Sequence, residues 1–191
     1  MHMFRTPFAC LVSCITVPTV ASAALNIDVG THALAPNLPG QLVQIFVTGN
    51  DPVEALNFNA QVADGGPELM GVINGPDITG CDIITGTIFS TKNTGALDPG
   101  SFPQLAIRST TTSSGTVPAQ GLLATLTIDT RGFSAGKYDL KLKGTLNGDT
   151  DFALVDVNVI NGFIVIPEPA LAGAGFMGLC ATTQRRRRRA A

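Results

Sequence analysis

Apolar and polar residues alternate with a period of two in several runs between residues 25 and 166. In residues 56–62 the apolar side chains alternate with Asn57, Asn59 and Gln61. Because successive side chains of a β-strand point to opposite faces of a sheet, this pattern predicts a strand with one buried face. The same pattern occupies residues 43–47, 122–129, 138–143 and 155–159. No run in this part of the chain has a clear 3.6-residue period, so we predict an all-β domain.

The alternation also predicts which side chains face the core. Tyr138 takes an inward position in its run, and Leu42 and Phe46 add apolar side chains to the second face of the run at 43–47. Such a strand is either buried on both faces or carries an exposed apolar patch. The inward set of the run at 122–129 is Leu122, Ala124, Leu126 and Ile128.

Turn-forming residues separate the runs. The chain has 21 Gly and 12 Pro residues, and many of them fall between the apolar stretches, as at Asn74-Gly75-Pro76. Asn161-Gly162 lies between two such stretches and predicts a two-residue hairpin turn, because a type I′ turn needs positive φ at both central residues. Residues 109–118, rich in Thr and Ser, predict a mobile loop, and residues 64–102 give no clear strand boundaries. We predict two packed antiparallel sheets, a β-sandwich, over residues 24–166.

The N-terminal segment has the three parts of a secretory signal peptide. Arg5 supplies the positive charge, residues 8–20 are mainly apolar, and small residues follow at Ala21 and Ala23. We predict a signal peptide over residues 1–23, with cleavage after Ala23. An alternative is lipidation of Cys14, because residues 11–14 (Leu-Val-Ser-Cys) resemble a bacterial lipobox.

The C-terminal segment, residues 167–191, also has three parts. A Pro-Glu-Pro motif ends the last predicted strand, residues 170–181 are small and apolar, and a run of arginines follows. The apolar part can enter a bilayer, while an arginine run resists translocation and stays cytoplasmic. The sorting motif is Pro167, Glu168 and Pro169, and the cytoplasmic stop is Arg185, Arg186, Arg187, Arg188 and Arg189.

This tail resembles the PEP-CTERM sorting signal of Gram-negative bacteria that make extracellular polysaccharide. The resemblance implies recognition by an exosortase-type membrane peptidase, transient membrane insertion, cleavage near the Pro-Glu-Pro motif, and release or transfer to the cell surface. Residues 170–184 form about 22 Å of helix at 1.5 Å per residue, which is shorter than the roughly 20 residues of a full span. The alternative is a flexible tail that ends in a basic patch.

The charges are segregated along the chain. Of 12 basic and 14 acidic residues, six basic residues and Glu168 lie in the terminal segments, which leaves six basic and thirteen acidic residues between them. An acidic domain argues against nucleic acid as a partner, because such binding rests on basic side chains. Cys81 is the single cysteine between the two terminal segments. The domain therefore has no internal disulfide, and Cys81 is predicted to be a half-buried small residue.

Four short motifs resemble the cohesin-like family of β-sandwiches. They are residues 39–43 (Pro-Gly-Gln-Leu-Val), 121–128 (Gly-Leu-Leu-Ala-Thr-Leu-Thr-Ile), 136–140 (Gly-Lys-Tyr-Asp-Leu) and 161–165 (Asn-Gly-Phe-Ile-Val). The resemblance covers roughly residues 25–166. It implies a jelly-roll sandwich that binds protein partners through a sheet face, and it implies no catalysis.

The sequence offers little for catalysis or cofactors. His32 is the single histidine of the predicted domain, and no partners of a nucleophilic triad can be identified. Asn147, Asp149 and Asp151 alternate in a glycine-containing turn, an arrangement of oxygen ligands that suits Ca²⁺. We predict no enzyme, and calcium is the one candidate cofactor.

The sequence favours a non-catalytic exported module of the cell envelope, cell surface or extracellular matrix, sorted by an exosortase-type system. Its partners would be the peptidase during sorting and a protein or polysaccharide of the matrix. The first alternative is a specific protein-binding module that uses a sheet face. The second is a secreted hydrolase acting on polysaccharide, whose paired carboxylates would come from distant strands.

Overall fold

The computed structural model describes residues 24–168, which form thirteen strands and one short 3₁₀ turn, Pro67–Leu69. In this part of the chain no helix is long and apolar enough to cross a bilayer. Four predicted features lie outside the described residues. They are the signal peptide with Ala21 and Ala23, the third residue of the sorting motif (Pro169), the apolar helix of the tail and the arginine run. The strands are β1 (Leu25–Asp28), β2 (Thr31–Ala33), β3 (Gln41–Thr48), β4 (Pro52–Val53), β5 (Ala55–Val62), β6 (Asp77–Asp82), β7 (Leu105–Thr111), β8 (Val117–Pro118), β9 (Gly121–Asp129), β10 (Gly136–Lys141), β11 (Asp151–Phe152), β12 (Val157–Ile160) and β13 (Gly162–Ile166).

Two sheets pack face to face. Sheet A has the order β12-β1-β3-β9-β6, and sheet B has the order β11-β5-β10-β13-β2, with β7 paired to β5. A third, two-stranded sheet joins β4 to β8. The predicted all-β sandwich is confirmed, and most of its strand pairs are antiparallel.

The core lies between the two sheets and is built from alternate residues of each strand. In β3 the inward residues Val43, Ile45 and Val47 are fully buried. Opposite them, the apolar residues of β5, with Phe58 as the largest, are fully buried as well. Burying one such side chain contributes about 1.5–3 kcal/mol to the free energy of unfolding. Burial of these alternating apolar side chains is therefore the main source of stability in a domain without a disulfide.

The predicted hairpin at Asn161-Gly162 is wrong. β12 belongs to sheet A and β13 to sheet B, so the chain crosses between sheets at Asn161 instead of reversing. β1 and β2 make the same crossing beside it, and the pairs β1–β12 and β2–β13 are both parallel. At the crossing point Phe163 N donates to Gly30 O at 2.9 Å and Val29 N donates to Ile160 O at 3.0 Å. Two adjacent segments thus connect the sheets along one side of the sandwich.

One predicted inward residue faces outward. The register of β3 against β9 shifts between Ile45 and Phe46, so Leu122 pairs directly with Phe46. Such a bulge moves the following side chains to the opposite face of the strand. Leu123 is therefore fully buried in place of Leu122, while Ala124, Leu126 and Ile128 are buried as predicted.

The segment predicted to be a mobile loop at 109–118 is partly strand. β7 continues to Thr111 along β5, and β8 pairs with β4 through Val117 and Pro118. Thr and Ser fit these positions because β7 and β8 lie at the edge of the fold, where a strand needs no continuous apolar face. Only the turn at residues 112–116 remains irregular.

Candidate functional site

The outer face of sheet A carries a cluster of exposed apolar side chains. Strand pairing places Ile160, Asp28, Phe46 and Leu122 side by side across β12, β1, β3 and β9. Leu42 lies on the same face of β3, four residues before Phe46. Phe46 is 49% exposed, Ile160 is 50% exposed and Leu42 is 64% exposed. We call Leu42, Phe46, Leu122 and Ile160 the sheet A surface.

For residues 42–47 the sequence left two alternatives open, a strand buried on both faces or an exposed apolar patch. The exposure of this surface shows that the second is correct. β3 is buried only on its inward face, and its second apolar set is presented to solvent. Burying exposed apolar side chains drives association, and solvent-exposed apolar clusters mark interaction sites. The sequence found Leu42 and Phe46 by their spacing, but it missed Leu122 because the bulge is not visible in the alternation.

The strands of sheet A contain acidic residues and no Lys or Arg. On the outer face, Asp28 lies between Phe46 and Ile160, and Asp82 of β6 pairs with Thr125. Other outward positions, such as Gln44 and Thr127, are uncharged, and Asp129 at the end of β9 is paired with Arg131. The chemistry of the face is therefore apolar with a negative charge, and its complement is an apolar surface with basic residues at the rim.

The outer face of sheet B is covered differently. The chain leaves β10 after Lys141 and returns at Thr150, and the intervening turn lies across the polar side chains of β5. Leu146 N donates to Gln61 Oε1 at 2.7 Å, and Asn59 Nδ2 donates to Asp149 O at 3.1 Å. Asn59 and Gln61, which the alternation placed on the solvent side, are consequently buried. Over β5 this face is occupied by the protein's own polar turn, whereas over β10 and β13 it carries Lys137, whose Nζ lies 3.4 Å from the centre of the Phe163 ring.

The three predicted calcium ligands line one groove of about 320 Å³ beside this turn. Asp149 Oδ1 accepts a hydrogen bond from Gly144 N at 2.6 Å, and Asp151 Oδ1 accepts one from Asn57 Nδ2 at 2.9 Å. Asn147 donates its amide to Asn59 Oδ1. Within residues 24–168 there is no group of three or more His, Cys, Asp or Glu side chains arranged to hold a metal ion. Calcium binding at Asn147, Asp149 and Asp151 stays a prediction.

The three other residues considered from the sequence, His32, Cys81 and Tyr138, contact the backbone or the core of the sandwich. His32 Nε2 donates to Val29 O at 2.7 Å, across the sheet crossing. Cys81 is half-buried, as predicted, and burial raises the pKa of its thiol to about 12, so the thiol stays protonated near neutral pH. Tyr138 is half-buried against the core, and its hydroxyl donates to Ser134 O at 2.9 Å. None of these contacts forms a nucleophile and base pair.

Known structures with the same arrangement of strands are cohesin modules. The third cohesin of ScaC from Acetivibrio cellulolyticus, solved in complex with the ScaB dockerin, matches with a TM-score of 0.52 and 14% identity, over 75% of this chain and 99% of that chain. A type III cohesin module from the cell-surface anchoring scaffoldin ScaE of Ruminococcus flavefaciens matches with a TM-score of 0.52 and 12% identity, over 80% and 93%. A non-cellulosomal cohesin from the archaeon Archaeoglobus fulgidus matches with a TM-score of 0.50 and 19% identity, over 78% and 96%.

These likenesses establish the fold: residues 24–168 form a cohesin-like β-sandwich. The sequence identities are too low to carry any ligand or partner over to this chain. No protein-family model matches the chain, and no curated protein matches it either.

Proposed function

We propose that this protein is a non-catalytic module that binds a protein partner through the sheet A surface. The observation that carries the proposal is the exposure of Leu42, Phe46 and Ile160 on one face of a well-packed sheet. Rigid, half-exposed aromatic and aliphatic side chains at the centre of a flat face are typical anchors of protein interfaces. The cohesin fold is consistent with this role, since the ScaC module was solved with a bound dockerin.

Two features define the expected partner. It presents apolar side chains to Phe46 and its neighbours, and it carries Lys or Arg opposite Asp28 and Asp82. Charges at the rim raise the association rate, while the buried apolar contacts determine most of the affinity. This role is more specific than that of a structural matrix component, which the sequence favoured, because it assigns binding to one defined surface. The partner itself can still be a matrix protein.

The test is affinity purification from membrane and culture fractions with the wild-type protein, Phe46→Asp and the control Leu154→Asp. Leu154 is fully exposed, so the control introduces the same charge elsewhere on the surface. We expect a stoichiometric partner that is retained by the control and lost with Phe46→Asp, because a desolvated carboxylate opposes burial of the face. Equal recovery with both variants, or no stoichiometric partner at all, would contradict the proposal.

We further propose that the protein is exported and sorted. Residues 1–23 would direct secretion, residues 24–166 form the binding domain, and residues 167–191 would be a PEP-CTERM-like tail recognised by an exosortase-type peptidase. Pro167 and Glu168 are exposed and follow the last strand directly, so a peptidase could reach the motif without opening the sandwich. The product would reside in the cell envelope, at the cell surface or in the extracellular matrix.

Calcium binding at the turn containing Asn147, Asp149 and Asp151 is a second proposal. Its support is that all three residues line the same groove and offer oxygen ligands. Calorimetric titration of the wild-type protein with Ca²⁺ tests it. The double variant Asp149→Asn/Asp151→Asn, which lacks both carboxylates, is the matched control. Absence of heat at millimolar Ca²⁺, where weak extracellular sites still bind, would rule the site out.

A further inference from the structure

A loop at one end of the sandwich exposes apolar residues and no charge. Residues 69–76, which we call the apolar loop, connect the 3₁₀ turn to β6. Met70 is 95% exposed, Val72 is 90% exposed and Ile73 is 58% exposed. Large apolar side chains at this exposure gain free energy when a partner or a bilayer removes them from water. The protein core gains nothing from them, because they point away from it.

One carboxylate holds the middle of the apolar loop, and Gln104 holds its end by donating to Asn74 Oδ1 and Gly75 O. Asp64 Oδ2 accepts hydrogen bonds from Val72 N at 2.6 Å and Ile73 N at 2.8 Å, and Oδ1 accepts one from Gly66 N at 3.2 Å. These backbone donors lower the pKa of Asp64, so it stays ionised near neutral pH. The loop backbone is therefore satisfied internally while its side chains face outward.

Glycine at two positions makes this geometry possible. A Cβ atom on Gly71 would lie 2.4 Å from Asp64 Oδ1, and Gly66 has a φ of 74°. Met70 adopts a left-handed φ of 64° and remains almost fully exposed. Such backbone conformations cost free energy for a residue with a side chain. The sequence thus maintains a defined, apolar and outward-facing loop at a cost in stability.

The chain leaves the domain at the same end. Ile166, the last residue of β13, pairs with Gly136 at the start of β10. Gly75 of the apolar loop lies against Tyr138, two residues further along β10, because a Cβ on Gly75 would be 3.4 Å from Tyr138 Cδ1. The apolar segment of the tail starts at Ala170, and four residues extend at most about 14 Å. A bilayer that holds this segment would therefore lie at the same end of the sandwich as the apolar loop.

We propose that the apolar loop inserts Met70, Val72 and Ile73 into the interfacial region of the bilayer that holds the tail. This inference rests on the proposed insertion of residues 170–181, and it adds an orientation to it. The domain stands with the apolar loop against the lipid and leaves the sheet A surface accessible. Residues 69–76 carry no charged side chain, so Met70, Val72 and Ile73 can be buried at the acyl boundary without moving a charge of the loop out of water. The carboxylates of Asp64 and the exposed Glu68, beside the loop, would stay at the headgroup level, where charged groups are hydrated.

Single tryptophan reporters test the proposal, because the chain has no Trp of its own. The chain from Ala24 to Ala191, without the proposed signal peptide, carries Val72→Trp and is reconstituted from detergent into phosphatidylcholine vesicles and floated. The control is Leu154→Trp, which is fully exposed and lies beyond the opposite end of β5, about 20 Å away along the strand. Emission wavelength and quenching by brominated acyl chains are measured for both proteins.

We expect both proteins to float, with blue-shifted and quenched emission for Val72→Trp alone. Flotation with identical, unquenched emission from both reporters would overturn the loop insertion while the tail insertion stands. Failure to float would overturn both. Adding Asp64→Ala to the Val72→Trp chain removes the hydrogen bonds that hold the loop, so its quenching should fall while flotation persists.

Discussion

Gly162 occupies the most crowded backbone position among the described glycines. A Cβ atom there would lie 1.9 Å from the carbonyl oxygen of Gly30, where β1–β2 and β12–β13 cross between the sheets. We expect Gly162→Ala to lower the free energy of unfolding by at least about 3 kcal/mol, the upper range for overpacking, because the obstructing atom belongs to the backbone. Urea unfolding measures the change.

The matched control for this substitution is Gly136→Ala. Gly136 also lies in a strand of sheet B, but a Cβ there would be 3.7 Å from its nearest neighbour, an ordinary contact. Its effect should stay within about 1 kcal/mol. Similar losses from the two substitutions would mean that the crossing does not require glycine.

Asp77 predicts a pH dependence of stability. Burial, followed by the charges of Asp129 and Glu68, raises the pKa of Asp77 in the folded protein. The folded state then binds this proton more tightly than the unfolded state, so stability falls as the pH rises from the ordinary value of about 4 through the raised pKa. Gln104 Nε2 donates to Asp77 Oδ1 at 2.5 Å, and an asparagine oxygen can accept the same bond.

We therefore expect Asp77→Asn to increase the free energy of unfolding near neutral pH. The increase should vanish at about pH 3, where the carboxyl is protonated in both states. Urea unfolding at the two pH values provides the measurement, and Asp156→Asn, an exposed position, is the control. A gain that is the same at both pH values would point to a cause other than ionisation.

At the scale of elements, the connection from β10 to β11 interrupts sheet B and replaces part of its hydrogen bonding. Opposite the middle of β5, the Thr150 hydroxyl accepts from Asn59 N and donates to Asn59 O, both at 2.9 Å. These are the two backbone groups that a continuous neighbouring strand would satisfy. The Thr150 side chain thus fills the gap on this edge of β5 between its pairing with β10 and its pairing with β11.

Thr150→Val keeps the shape and removes both hydrogen bonds. Because Asn59 N and O would be left buried without partners, we expect a loss of about 2–4 kcal/mol in the free energy of unfolding. Thr48→Val, at an exposed strand position, should change stability by less than about 0.5 kcal/mol. Hydrogen exchange at the Asn59 amide locates the effect, and unchanged protection there would contradict this role of Thr150.

The sequence predicted the strands well where one face is buried. The inward sets of β3 and β5 follow directly from a period of two. It failed at Asn161-Gly162, because a turn signal is local whereas the sheet to which the next strand belongs depends on distant partners. It failed at Asn59 and Gln61 for the same reason: the turn that covers them comes about 90 residues later.

At the scale of the whole molecule, residues 83–104 show why the sequence predicted no clear strand boundaries in this part of the chain. This segment crosses the sandwich with few strand pairs and is held by short side-chain contacts to the backbone. Thr87 Oγ1 donates to Ile83 O at 2.8 Å, and Asn93 Nδ2 donates to Phe89 O at 2.9 Å. Phe89 is nevertheless fully buried. Such contacts have no periodicity, so no pattern along the sequence can predict them.

The last described strand ends before the tail begins. β13 ends at Ile166, which is 1% exposed and pairs with Gly136, while Pro167 and Glu168 are exposed and belong to no strand. Cleavage near residues 167–169 would therefore leave every described strand in place. A peptidase that cut there would separate the described sandwich from the proposed anchor while leaving its strands paired.

Intact mass of the native protein from membrane and culture fractions tests this division of the chain. We expect a species that starts at Ala24 and ends near the Pro-Glu-Pro motif at residues 167–169, with Arg185–Arg189 absent. Thermal unfolding of this species should match that of a chain retaining the tail, because every described strand is kept. A native mass that retains the arginines would leave the tail as a membrane anchor or a basic extension and would remove the main argument for exosortase-type sorting. The proposed binding through the sheet A surface would be unaffected, since that surface is formed entirely by residues of the sandwich.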